Sequence, residues 1–105
     1  MSVERFKIGF ICSAVRREYD SLDGSVRAVV DKGMLRLALR ADEIGKPLSG
    51  ALTGCRELKF RSDGIRLIYR ICGERIELVE IIAIGKRDKG EVFGTAENRL
   101  AGKAR

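Results

Sequence analysis

Residues 56–70 read Arg56-Glu57-Leu58-Lys59-Phe60-Arg61-Ser62-Asp63-Gly64-Ile65-Arg66-Leu67-Ile68-Tyr69-Arg70, and this stretch decides the fold. Leu58 and Phe60 alternate with Glu57, Lys59 and Arg61. Beyond the turn, Ile65, Leu67, Tyr69 and Ile71 alternate with Arg66, Ile68 and Arg70. A period of two is that of a strand with one face against a core. Asp63-Gly64 between the two runs is a strong two-residue turn signal, so the stretch predicts a β-hairpin. That turn places Arg61 opposite Arg66, Phe60 opposite Leu67, Lys59 opposite Ile68, Leu58 opposite Tyr69 and Glu57 opposite Arg70. A three-residue loop would carry Arg61 onto the apolar face of the next strand, which burial disfavours.

The rest of the chain arranges itself around the hairpin. Cys72-Gly73-Glu74 makes the next turn, and Ile76 to Ile84 is nearly continuously apolar, as in a central strand covered on both faces. Gly85 breaks that strand and delivers Lys86 and Arg87 to the sheet end that carries Arg61 and Arg66. Asp88 followed by Glu91 has the spacing of a capping box for a short helix holding Val92, Phe93, Ala96 and Leu100. Upstream, Phe6, Ile8 and Phe10 share one face of a first strand. Ser13 can cap a helix through Val15, Tyr19 and Leu22, and Asp23-Gly24-Ser25 opens a longer one striped by Val26, Val29, Val30, Gly33 and Leu37. Two helices joined so tightly form an antiparallel pair. Arg40 to Gly54, with Pro47 and three glycines, reads as a loop. The order β-α-α-β-β-β-α gives an α+β fold. Its antiparallel sheet is packed on one face by an N-terminal helical hairpin, with a short C-terminal helix, in a single domain spanning residues 1–105.

Composition narrows the function. A hydrophobic fraction of 45% fills one modest core, and one proline without any low-complexity run argues for a compact chain. Ile8 to Ile11 is too short, and too broken by Gly9, for a signal peptide, and no stretch reaches membrane-spanning length. Cys12, Cys55 and Cys72 are far apart without a CxxC, and read as small buried residues of a reducing cytoplasm. With no histidine and no thiolate spacing, the sequence offers no usual metal site, and it lacks the commonest general base.

The net charge of +6 is confined to two segments. Residues 56–70 hold Arg56, Lys59, Arg61, Arg66 and Arg70 against Glu57 and Asp63; residues 86–105 hold Lys86, Arg87, Lys89, Arg99, Lys103 and Arg105 against Asp88, Glu91 and Glu97. Such an uneven distribution is the footprint of an anion, and a nucleic-acid phosphate fits it. Arg61 and Arg66, facing each other, either splay into solvent, where repulsion costs little, or share a phosphate, which the arginine fork suits; Lys59 on the same face and Lys86 and Arg87 at the same end favour the phosphate. Glu57 and Arg70 are expected to form a surface ion pair, with Glu57 also a candidate general base at the edge of the cations. Tyr69 and Tyr19 fall at core positions. Phe93 fits either the core, which its periodicity favours, or a stacking face for a base. Without histidine or metal, one reaction suits a basic sheet surface well: attack of an RNA 2′-hydroxyl on the adjacent phosphorus, assisted by orientation and charge stabilisation.

Lys59 to Arg70 and the segment Ile84-Gly85-Lys86-Arg87-Asp88-Lys89-Gly90-Glu91-Val92-Phe93, preceded by Leu48-Ser49-Gly50, resemble the RelE family of toxins from bacterial toxin–antitoxin modules. The resemblance covers nearly the whole chain and is most specific over residues 48–93. It implies a ribosome-dependent, metal-independent endoribonuclease that needs no cofactor. Such an enzyme cuts mRNA in the ribosomal A site by 2′-hydroxyl attack and is neutralised by a cognate antitoxin. It further implies catalytic roles for Lys59, Arg66 and Arg87, with Lys59 assisting proton transfer or stabilising charge and the two arginines clamping the scissile phosphate. Arg56, Arg61, Lys86 and Lys89 would hold RNA backbone, and Phe93 would stack. The sequence departs from the family pattern at two positions, with Phe93 where a catalytic tyrosine is usual and Glu57 where a lysine is usual. Two alternatives follow from these departures: a ParE-like toxin that inhibits DNA gyrase by binding, or a catalytically impaired relic that binds only its antitoxin.

Overall fold

The computed structural model describes residues 5–73, 77–86 and 90–103. In chain order the elements are β1 (Lys7–Phe10), α1 (Ser13–Asp20), α2 (Gly24–Arg40), β2 (Lys46–Pro47), β3 (Cys55–Phe60), β4 (Ile65–Cys72), β5 (Leu78–Lys86) and α3 (Glu91–Lys103), with short 3₁₀ turns at Gly50–Leu52 and Arg61–Asp63. The fold is α+β, as the alternation and helix stripes imply. The five strands are ordered β1-β5-β4-β3-β2. The meander β3-β4-β5 is antiparallel, whereas β1 joins β5 in parallel, which a strand reached through the helical pair can do and a hairpin neighbour cannot. The loop expected over residues 40–54 contains β2. It pairs antiparallel with β3 at the sheet edge, where the missing N–H of Pro47 costs no interior ladder bond.

The hairpin register differs from the expected one by two residues. Phe60 pairs with Ile65, Lys59 with Arg66, Leu58 with Leu67, Glu57 with Ile68, Arg56 with Tyr69 and Cys55 with Arg70. Arg61, Ser62 and Asp63 form the 3₁₀ turn and Gly64 closes it at φ 63°, a left-handed conformation that glycine adopts without strain. The four-residue loop removes Arg61 from the sheet. A shift of two keeps every side chain on its expected face while changing every partner. Apolar pairing is kept, with Leu58 meeting Leu67 and Phe60 meeting Ile65, and Lys59 takes the place expected for Arg61 as the cation facing Arg66.

The helices cover both faces of the sheet, not one. Gly33 of α2 lies against Phe60 and Leu58, so closely that a methyl there would stand 2.6 Å from Phe60 Cε1. Tyr69, on the same face, donates its hydroxyl to the carbonyls of Ala41 at 2.9 Å and Ile44 at 2.7 Å, just past the end of α2. On the opposite face α3 packs over β5, with Val92 against Gly85 and with Val92 and Ala96 buried. Coverage on both sides explains why Ile68, Ile81, Ile82 and Ala83 are all buried.

Where β1 ends, the exposed edge of β5 is closed by side chains. Glu18 of α1 accepts from the Ile84 N–H at 3.1 Å, and Arg99 of α3 donates to the Ile82 carbonyl at 2.9 Å. The same two side chains meet each other through paired bonds of 2.7 and 2.8 Å. The carboxylate beside it raises the ionisation of Arg99 further above its usual value. Ile82 is the residue left unpaired by the bulge opposite Ile68 and Tyr69, so Arg99 takes up a carbonyl the ladder leaves free. This clasp fixes α3, and with it the position of Phe93.

Candidate functional site

The residues that bear on function lie on the α3 face of β3 and β4. Alternation puts Glu57 and Lys59 of β3 and Arg66 of β4 on that face, since Leu58, Phe60, Ile65 and Leu67 point the other way. Lys59 stands directly opposite Arg66, and Glu57 sits diagonally from Arg66, within reach of its long side chain.

Two groups meet on one guanidinium. Arg66 Nε lies 2.9 Å from Glu57 Oε2. The N–H is not aimed squarely at that oxygen, so the contact is an ion pair without a well-aligned hydrogen bond. The guanidinium carbon lies 5.0 Å from the centroid of the Phe93 ring, a cation–π distance. Glu57 is only 4% exposed, and the Arg66 side chain is 17% exposed. Burying a carboxylate is tolerable only beside a cation, so Arg66 is what allows Glu57 to occupy this position. Lys59 is half-buried and, among the described residues, has no carboxylate in ion-pair range, leaving its charge free.

The expected surface pair Glu57–Arg70 does not form. Arg70 binds Glu80 of β5 instead, at 2.7 Å, because the register places Glu80 directly opposite it. The expected juxtaposition of Arg61 and Arg66 is also absent: Arg61 is exposed in the turn beyond the strand. Arg56 faces away from the site and donates to the carbonyls of Ile44 at 3.4 Å and Gly45 at 3.3 Å, bracing the chain that leads into β2. Lys86 reaches the expected end of the sheet, but it pairs with Ile65 and thus starts on the opposite face. There it lines a hollow with Glu18, Asp23 and Asp63. Arg87, Asp88 and Lys89 lie outside the described residues. Phe93 packs against the core, as its periodicity favours, and carries Arg66 on its ring.

Sequence reasoning missed the Glu57–Arg66 pair because it follows from a register two residues away from the one the Asp63-Gly64 signal suggests. It missed Glu18 and Arg99 because they are 81 residues apart and nothing local marks them. Chemically, the described site offers the ammonium of Lys59, one held guanidinium and one aromatic ring. A hollow of about 620 Å³ lies elsewhere, between β1 and α2, and includes neither Lys59 nor Arg66.

No family model matches the chain. It is 30% identical over 84 residues to the mRNA interferase toxin RelE of Escherichia coli strain K12, covering 80% of this chain and 86% of that protein. Among solved structures it resembles a doubly substituted E. coli toxin RelE in the free state, with a TM-score of 0.75 and 28% identity over 93% of this chain and 99% of the other. It also resembles the same variant in complex with a peptide of the antitoxin RelB, with a TM-score of 0.70 and 26% identity over 88% and 94% of the two chains.

Proposed function

The chain belongs to the RelE family of toxins, and from that premise we propose that it is the toxin of a toxin–antitoxin pair. It acts in the cytoplasm as an endoribonuclease on mRNA held in the ribosomal A site, and a cognate antitoxin neutralises it. The observation that carries this reading is Lys59, which has no carboxylate partner among the described residues, directly opposite the held guanidinium of Arg66.

The reaction follows from what these groups can do. The RNA 2′-oxygen bonds to phosphorus, the bond from phosphorus to the 5′-oxygen breaks, and the products are a cyclic phosphate and a 5′-hydroxyl. One proton leaves the 2′-hydroxyl and one reaches the departing 5′-oxygen. Arg66 neutralises charge on the non-bridging phosphate oxygens, where a fixed cation acts more strongly than mobile water. Arg87 joins it in the proposed clamp. Lys59 stabilises the same charge or moves a proton. Phe93 has no hydroxyl and takes no part in proton transfer. Arg61 and Lys89 hold RNA backbone around the clamp. Arg56, which is committed to Ile44 and Gly45, keeps only a bracing role.

Growth arrest on induced expression, relieved by co-expression of the neighbouring antitoxin, tests this function. Growth arrest with intact message and blocked DNA supercoiling would overturn it in favour of a gyrase inhibitor.

A further inference from the structure

Glu57 is the only buried charged residue among those described, and it stands where its oxygen touches the cation proposed to meet phosphate. Its burial and its ion pair make it a poor base, because a carboxylate that takes a proton must reach the hydroxyl that gives it. Its position suits another role. Arg66 is held at Nε by Glu57 and against one face of its plane by Phe93. Among the described residues no acceptor takes up its two Nη groups. The unheld Nη edge is the part of the fork that donates two parallel bonds to a phosphate.

We propose that Glu57 is a positioning residue which, with Phe93, fixes the Arg66 guanidinium so that its Nη edge is presented to the scissile phosphate. The inference rests on the reading of Arg66 as part of the phosphate clamp. A planar fork fixed before the ligand arrives loses less freedom on binding and meets the developing charge without reorganising. The two positions where this chain departs from the family pattern therefore act on the same guanidinium. One supplies a carboxylate and the other an aromatic face. The ring of Phe93 holds the cation without needing a hydroxyl.

Cleavage by purified full-length chain on programmed ribosomes tests the role, read as kcat and KM separately and as a pH profile. Glu57→Gln keeps the oxygen but loses the charge that draws in the guanidinium, and is expected to lose kcat by an amount between those of the wild type and Glu57→Leu, with an unchanged pH profile. Glu57→Leu is expected to lose at least tenfold in kcat with an unchanged KM for ribosomes, since a misaligned fork chiefly costs the transition state. Combining Glu57→Leu with Arg66→Ala is expected to be no worse than Arg66→Ala alone. Thermal melting of each variant confirms that it is folded. The proposal is overturned if Glu57→Gln is as inactive as Glu57→Leu with its acid limb lost, as a base would require. It is equally overturned if Glu57→Leu cleaves at the wild-type rate, or if its loss multiplies with that of Arg66→Ala. Full cleavage by Arg66→Ala alone would overturn the clamp reading itself, and this one with it.

Discussion

Lys59 stands directly opposite Arg66 across β3 and β4, and Glu57, diagonal to Arg66, offsets the repulsion between them. Like charges directly opposed on a sheet are destabilising. Here one of the two is drawn toward a buried carboxylate and an aromatic ring, while the other has no carboxylate in ion-pair range among the described residues. Tolerance of the like pair thus comes from Glu57 and Phe93.

Glu18 and Arg99 should be a stability determinant remote from the cationic face. Removing either leaves its partner charge uncompensated and a β5 backbone group without its side-chain partner. Both side chains are partly exposed, so Glu18→Ala or Arg99→Ala should cost about 1–3 kcal/mol. Urea unfolding reads this directly, and the double variant should lose less than the sum of the singles because they remove one network.

Gly33→Ala tests the closeness of α2 to β3. Alanine favours a helix interior by up to about 1 kcal/mol over glycine. The added methyl would overlap the Phe60 ring, and overpacking typically costs about 1–3 kcal/mol. The variant should therefore be less stable than the wild type, by denaturant midpoint, despite its better helix propensity.

These elements show how much the sequence discloses. The hairpin, the helical pair, the apolar central strand and the last helix are legible because alternation and helical stripes act within one element. The face carrying Lys59 and Arg66 is also legible, since an error of two residues in register leaves the face unchanged. The partners are not. Asp63-Gly64 signals a two-residue turn, but the chain uses a 3₁₀ turn closed by Gly64, and the choice is settled by how Phe60 and Leu58 pack beneath α2. The Glu57–Arg66 pair, the return of Arg56 to the Ile44 carbonyl and the parallel seat of β1 all depend on that tertiary arrangement.

Tyr69 predicts an alkaline limit to stability. Burial pushes its phenol up to about 12 from the usual 10. The folded chain holds the proton more tightly, so this contribution is complete below about pH 10 and is lost as pH rises through about 12. Tyr69→Phe should remove that part of the alkaline fall. It should also lower stability near neutral pH by about 1–2 kcal/mol, since the Ala41 carbonyl loses the Tyr69 donor and the Ile44 carbonyl keeps only the longer bond from Arg56. Chemical denaturation of both proteins between pH 7 and 12 checks the two effects together.

The central claim is that the face built by Lys59 and Arg66 cleaves mRNA on the ribosome. Mapping 5′ ends of a defined message on ribosomes programmed with an occupied P site and an empty A site tests it most directly. The wild-type chain should produce new ends within the A-site codon, bearing 5′-hydroxyls, while folded Lys59→Ala and Arg66→Ala variants should each reduce them by at least a hundredfold. Message left intact by the wild type, or cuts that persist undiminished in both folded variants, would contradict the account.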